Sequence, residues 1–129
     1  AEIAAANGQA NARGIGRVYG ALARGGDLGG VRVIGAGAIS QMTTEEWGMT
    51  EDLVLARPMR RGRGMNLNTE GNYGPNPTAF GHNGAGGSIG FADPQRRLGF
   101  GYAMNQMQPG IEADTRGSRL VKAVLDAIG

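Results

Sequence analysis

The sequence has 129 residues, a net charge of +2 and no cysteine, and these three facts already limit what it can do. A chain of this length predicts one domain, residues 1–129. Without cysteine it has no disulfides, thiolate metal ligands or thiol nucleophiles, and its single histidine does not make a zinc site. We therefore expect no metal and no cofactor. No apolar run approaches the roughly 20 residues that cross a bilayer, so we also expect no membrane partner.

The first part of the chain predicts two helices separated by a short extended piece. Residues 11–24 predict a helix that begins at the capping residue Asn11. Its apolar residues recur at i, i+3, i+4 and i+7: Ile15, Val18, Tyr19 and Leu22. Residues 28–34 predict a turn with a short extended piece. Residues 38–46 predict a second helix, with Ser40 as its candidate cap.

The rest of the chain predicts an antiparallel meander and a terminal helix. We expect strands at residues 60–67, 88–91 and 97–107, a loop at 68–77, a turn at 93–96 and a helix at 115–128. In the last strand Gly99, Gly101 and Ala103 share one face, which would let a helix lie close. The terminal helix is the candidate for that position. The predicted fold class is α+β: an antiparallel β-sheet flanked by helices.

The basic residues consist of twelve arginines and one lysine, and four of the arginines surround Pro58. Such a cluster, Arg57, Arg60, Arg61 and Arg63, raises the question of nucleic-acid binding. Acidic residues precede it, however, and no aromatic residues interleave the arginines as single-strand binding favours. We therefore predict no nucleic-acid partner.

The stretch FGHNGAGGSIGF, residues 80–91, packs five glycines and the only histidine into twelve residues. A dinucleotide-binding loop does not fit, because Ile89 stands where the third glycine of G-x-G-x-x-G belongs. The G-x-S-x-G pattern around Ser88 does match a nucleophile elbow, but that motif requires a helix after the serine, and none is predicted. A small esterase with Ser88 as nucleophile, His82 as base and Asp93 or Asp114 as acid stays open as an alternative.

The longer segment FGHNGAGGSIGFADPQRRLGFGYAMNQM resembles the C-terminal part of serine β-lactamase-fold hydrolases. It is most similar to class C-like carboxylesterases, of the family VIII type, and to enzymes related to penicillin-binding proteins. The segments NGQANARGIGRVYGALARGGDLGGVRVI and RRGRGMNLN resemble the approach to the same region. The resemblance implies the β-lactamase/transpeptidase-like fold for nearly the whole chain, and hydrolysis of a small ester or amide through a serine acyl-enzyme, with esters favoured over β-lactams.

In that family a strand carries a Lys-Thr-Gly box or a His-x-Gly substitute, and His82-Asn83-Gly84 looks like this box. The resemblance implies that the backbone N–H of Ala85 donates to the oxyanion of the reaction. It implies that His82 lines the pocket and that Asn83 binds the substrate carbonyl or carboxylate. Gly84 would let the substrate approach the backbone closely.

Two elements of the family are missing from the sequence. No serine is followed by lysine at Ser-x-x-Lys spacing, and no Tyr-x-Asn occurs. Together with the start at Ala1, this predicts the C-terminal portion of a longer hydrolase, which would associate with itself or with a complementing N-terminal chain. A non-catalytic binding fragment is the other alternative. No secretory signal is visible, so the chain taken alone would be predicted to be cytoplasmic.

Overall fold

A six-stranded antiparallel sheet, with its strands side by side in chain order, forms the centre of the fold. The computed structural model describes residues 8–109 and 115–129. The sheet consists of β3 (Trp47–Met49), β4 (Met59–Arg61), β5 (Asn66–Leu67), β6 (Phe80–Asn83), β7 (Ile89–Asp93) and β8 (Leu98–Tyr102). A separate hairpin is formed by β1 (Asp27–Leu28) and β2 (Val31–Arg32). The helices are α1 (Ala12–Ala23), α2 (Ala36–Thr43) and α3 (Thr115–Ile128). The α+β class is confirmed.

Helix α1 lies across β7 and β8 on one face of the sheet. It begins at the predicted cap, where the Asn11 side chain accepts a hydrogen bond of 2.8 Å from the Gly14 N–H. A Cβ at Gly99 or Gly101 would collide with the α1 backbone around Gly16. The smooth glycine face of β8 therefore does receive a helix, but the prediction that this would be the terminal helix is wrong.

Helix α3 covers the opposite face. Its Val121 joins a buried cluster with Tyr73, Ile89 and Phe91, and the Tyr73 and Phe91 rings stack at 5.7 Å. Since neighbouring residues of a strand point to opposite faces, β7 contributes to both layers of the core, with Ala92 on the α1 side and Ile89 and Phe91 on the α3 side. The helices of residues 8–109 and 115–129 include none that could cross a membrane.

Several predicted elements have different bounds in the structure; the strand expected at 97–107, for example, ends at Tyr102. The strand expected at 60–67 is interrupted, because the Gly62 N–H donates to the Met65 carbonyl and closes a turn between β4 and β5. The helix expected at 38–46 begins after Gly35, so Ser40 lies inside α2 and does not cap it. Residues 47–49, which carried no strand prediction, form the edge strand β3.

Candidate active site

The connection between β6 and β7 is a tight turn that contains Gly84 and Ala85. The Gly84 N–H donates to the Ser88 carbonyl at 2.8 Å, and the Gly87 N–H donates to the Gly84 carbonyl at 3.2 Å. Gly86 has a φ of +86°, whereas Ala85 is not among the residues with positive φ. This combination is a type II turn with Ala85 at its second position. The third position requires a left-handed backbone, which Gly86 adopts without strain.

One side of β6 is open beside this turn. Strand β5 pairs with β6 only at Phe80 and Gly81, and it begins at Asn66 opposite Gly81. Because successive backbone groups of a strand point alternately to its two neighbours, the N–H of Gly84 points to β7 and that of Asn83 points to the side where β5 has not yet begun. The end of β6 is thus a free edge inside the sheet.

The backbone N–H of Ala85 lies at the end of that free edge and has no hydrogen-bond partner among the described residues. Ala85 is exposed, and the turn is fixed from the other side, where the Gln108 N–H donates to the Gly86 carbonyl at 3.1 Å. A rigidly held, unpaired N–H is what an oxyanion-binding site requires, since the donor is oriented before charge develops.

Two clefts meet at His82. The first, which we call the α1 cleft, lies between α1 and the β6–β7 turn and has a volume of about 610 Å³. Ile15 and Tyr19 of α1 line it on one side, and His82, Gly84 and Ser88 line it on the other. The imidazole of His82 is exposed, and it lies on the α1 face of the sheet because it pairs with Gly90, which directly faces Ile15 and Tyr19.

The second cleft, which we call the arginine cleft, lies between residues 52–57 and the open edge of β6. Its volume is about 590 Å³. Its apolar lining consists of Trp47, Val54 and Leu55, and its polar lining of Asp52, Arg57, Arg61, Asn66, His82 and Asn83. Asn83 is buried, and its Oδ1 has no hydrogen-bond partner among the described residues. The box residues His82 and Asn83 therefore connect the two clefts.

The carboxylate of Asp52 organises the wall of the arginine cleft. Its Oδ1 accepts hydrogen bonds from the N–H groups of Leu55 at 2.8 Å and Val54 at 2.9 Å. These backbone donors, with weaker help from the charges of Arg61 and Arg57, hold the pKa of Asp52 below its ordinary value. The group is therefore an anion at neutral pH, and it keeps residues 52–57 in a closed loop.

Arg61 is held in place from two sides in the same cleft. Its guanidinium lies 3.5 Å from Asp52 Oδ2 and 5.6 Å from the centre of the Trp47 ring, a cation–π distance. Behind it, burial raises the pKa of Tyr73 far above the ordinary tyrosine value, so its hydroxyl, which is hydrogen-bonded to Asn66, stays neutral. The charge of the cleft thus comes from the arginines and Asp52, with His82 at its edge.

Of the alternative triad, the residues that the structure describes are not assembled around Ser88. The residues after Ser88 continue directly into β7, so the strand–turn–helix geometry of a nucleophile elbow is not formed. Ser88 does line the α1 cleft with His82, but no hydrogen bond joins them in the described part of the chain. Asp93 lies on β7 three residues beyond Gly90, the strand partner of His82. Three residues of a strand span about 10 Å, so Asp93 is too far from His82 to orient it.

Asp93 has a structural role in place of a catalytic one. Its carboxylate is fully buried, accepts a hydrogen bond of 2.6 Å from Asn76 Nδ2 and pairs with Arg96 at 3.1 Å. Asp114 lies outside the described residues. Among the residues that are described, no three His, Asp or Glu side chains are placed to hold a metal ion.

Sequence reasoning missed most of the cleft lining. Ile15 and Tyr19 were interpreted only as the core face of a helix, and the arginine cluster only as a surface patch. Trp47 and Asp52 carried no functional prediction. The apolar run Leu53-Val54-Leu55 could have indicated this cleft. It lies between Asp52 and Pro58 and follows neither the period of a helix nor that of a strand.

Comparison with known proteins shows the family to which the chain belongs. The family model described as "Beta-lactamase" matches residues 1–124. The chain belongs to the Beta-lactamase family.

The relatives within this family include both esterases and a penicillin-binding protein homologue. The chain is 37% identical over 107 residues to "Esterase/beta-lactamase LipL" of Mycobacterium tuberculosis, covering 83% of this chain and 24% of that protein. The crystal structure of a family VIII carboxylesterase is 56% identical with a TM-score of 0.85, covering 90% of this chain and 31% of that one.

A "Penicillin-Binding Protein (PBP) Homolog" from Caulobacter crescentus is 39% identical with a TM-score of 0.86, over 92% of this chain and 32% of the other. EstA from Arthrobacter nitroguajacolicus Rue61a is 30% identical with a TM-score of 0.76, covering 92% of this chain and 32% of that one. The chain therefore spans between a quarter and a third of the length of these relatives.

Proposed function

We propose that this chain forms one wall of a serine hydrolase active site, most simply that of a carboxylesterase which cleaves small esters through an acyl-enzyme. The nucleophilic serine would come from polypeptide outside these residues, since no Ser-x-x-Lys occurs in the sequence. The share of the relatives' length that the chain covers, from 24% to 32%, supports this. The esterases among those relatives favour an ester as the substrate.

The observation that carries the proposal is the unpaired N–H of Ala85 at the open edge of β6. When a serine attacks an ester carbonyl, the carbonyl oxygen gains a negative charge, and a fixed N–H donor stabilises that charge in the transition state. The tetrahedral intermediate then collapses, the alcohol leaves with a proton, and water later releases the acid from the acyl-enzyme. Ala85 would act in both halves of the reaction.

The neighbouring residues have roles that follow from their positions. His82, exposed and common to both clefts, would contact the substrate beside the ester. Asn83 would hold a polar group of the substrate with its buried and unpaired amide oxygen. At Gly84 a Cβ would collide with Ser88 Oγ, so glycine keeps this part of the cleft open. These roles are part of the proposal.

The test is to delete the Ala85 N–H without changing the turn. Proline is favoured at the second position of a type II turn, so Ala85→Pro removes the donor at little structural cost. The variant is made in a chimera in which this chain replaces the matching part of the family VIII carboxylesterase, to which it is 56% identical. We expect kcat for p-nitrophenyl esters to fall about 10²–10³-fold, the usual effect of losing one oxyanion donor.

The matched control is Ala85→Ser, which keeps the N–H and should change kcat only slightly. If the proline variant folds, with an unchanged circular dichroism spectrum, and keeps the kcat of the unmutated chimera, Ala85 is not the oxyanion donor.

A second candidate, the small esterase that uses Ser88, is kept because Ser88 and His82 line the same cleft. Our proposal expects the 129-residue chain alone to give little turnover of short-chain p-nitrophenyl esters. Robust turnover by the chain alone, abolished by Ser88→Ala, would establish the second candidate in its place.

A further inference from the structure

The arginine cleft contains a positive charge that the described residues do not neutralise. Of the four arginines around Pro58, Arg60 and Arg63 form ion pairs of 2.8 and 2.9 Å with the glutamates at 45–46, and neither lines the cleft. The remaining two, Arg57 and Arg61, both line it. The cluster is therefore divided between an outward-facing pair with its own counterions and an inward-facing pair.

The inward-facing pair has only one carboxylate. Arg61 lies 3.5 Å from Asp52, while Arg57 forms no ion pair in the described part of the chain and acts on the same carboxylate only through its charge. Asp52 also accepts two backbone hydrogen bonds from its own loop, so its oxygens are largely occupied. Two guanidinium groups facing one carboxylate leave one positive charge in the cleft.

One hydrogen-bond donor of each arginine, its Nε, is unused as well. The Nε atoms of Arg57 and Arg61 are buried without a partner, as is Oδ1 of Asn83 on the opposite wall. Buried polar groups in folded proteins are normally paired, so three unpaired atoms around one cleft indicate a polar ligand. Arginine presents its donors in a planar fork that matches a carboxylate, and the Trp47 ring and Asp52 hold the guanidinium of Arg61 in one orientation.

We propose that the arginine cleft binds a carboxylate on the substrate, so that the preferred substrates are esters that carry a second, free carboxylate, such as hemi-esters of dicarboxylic acids. This inference rests on the proposed function, because His82 and Asn83 connect the cleft to the Ala85 N–H where the ester would react. One carboxylate of the substrate matches the single surplus positive charge of the cleft. Arg57 and Arg61 are specificity residues here and take no part in the bond cleavage.

The first experiment compares two substrates of equal chain length in the chimera, monoethyl glutarate and ethyl pentanoate. We expect kcat/KM to favour the hemi-ester at low salt, and Arg57→Gln to reduce kcat/KM for the hemi-ester by about tenfold, the usual effect of losing one charge-assisted hydrogen bond. Ethyl pentanoate should be hydrolysed equally by both proteins. Arg63→Gln removes a charge of the same cluster outside the cleft and should leave both substrates unaffected.

The second experiment measures binding without catalysis in the 129-residue chain. Trp47 is the only tryptophan of the chain and lies in the cleft, so its fluorescence should respond to glutarate and not to the neutral glutaramide. Arg57→Gln should weaken glutarate binding about tenfold, while Arg63→Gln should not.

Hydrolysis of ethyl pentanoate with no preference for the hemi-ester, and equal glutarate binding by the unmutated and Arg57→Gln chains, would overturn this inference and leave the proposed function intact. Loss of glutarate binding in the Arg57→Gln chain, together with a folded chimera that hydrolyses no ester, would support the carboxylate site and contradict the esterase proposal.

Discussion

The contact between α1 and β8 gives the sharpest stability prediction. Replacing Gly99 by alanine would place a Cβ within 3.0 Å of three backbone atoms of α1, the N and Cα of Gly20 and the carbonyl oxygen of Gly16. Backbone atoms in the middle of a helix cannot rotate away as a side chain can. The helix itself must therefore move.

The size of the effect follows from these distances. The Gly16 oxygen would be 2.6 Å from the new Cβ, and the N and Cα of Gly20 would be closer still. Because an ordinary contact needs about 3.5 Å, α1 must retreat by at least about 1 Å. A gap of that size removes a quarter to a half of the dispersion energy along the contact between α1 and the sheet. Overpacking of a filled core usually costs about 1–3 kcal/mol, and we expect Gly99→Ala to lie at the upper end, about 3 kcal/mol.

The assay is urea unfolding followed by circular dichroism. The control is Gly37→Ala in α2, where a Cβ would meet no atom within 4 Å and φ is not positive, so alanine should stabilise by about 0.5–1 kcal/mol. In the chimera, Gly99→Ala should also reduce turnover, because α1 carries Ile15 and Tyr19 into the α1 cleft. If Gly99→Ala unfolds at the same urea concentration as the unmutated chain, α1 does not contact β8 as closely as described.

Two further predictions concern the buried carboxylates. Asp93→Ala leaves the Asn76 amide and the Arg96 guanidinium without their buried acceptor and should lower the free energy of unfolding by about 3 kcal/mol; an unchanged urea midpoint would contradict this. Asp52 has a lowered pKa in the folded chain, so it stabilises the fold above the ordinary carboxyl value of 3.8, and this stabilisation is lost as the pH falls below that value toward the folded pKa. Asp52→Asn should therefore unfold at lower urea at neutral pH and depend less on pH in acid, as urea midpoints at a series of pH values would show; equal acid dependence of both proteins would refute the assignment.

The parts of the fold that depend on local sequence could be predicted. The periodicity of α1 and its Asn11 cap are properties of one segment, and both are confirmed. The face on which a helix packs is not local, which is why the glycine face of β8 was matched with α3 when it receives α1. The break between β4 and β5 was missed for a similar reason: it depends on tertiary contact at Gly62, where a Cβ would collide with the Met42 carbonyl.

The candidate site divides in the same way. The box His82-Asn83-Gly84 could be identified from its resemblance to a family whose membership is now shown, although the roles of its residues stay predictions. The arginine cleft could not, because it exists only through pairing: Arg61 stands opposite Trp47 on β3 and opposite Asn66 on β5. In the sequence alone these arginines form a charged run, and nothing indicates that two of them line a cleft.

The open edge of β6 follows from where β5 begins. The turn after β4 places Gly64 at a φ of +82° and returns the chain to the sheet only at Asn66, so β5 first meets β6 at Gly81. Had β5 begun two residues earlier, its backbone would pair with Asn83 and close the edge that leads to Ala85. The same late start leaves the space that the arginine cleft occupies, since Asn66 and Asn83 line it from the two strands. One turn rich in glycine thus makes both the proposed oxyanion donor and the proposed carboxylate site accessible. We therefore expect both to be gained or lost together when that turn is changed.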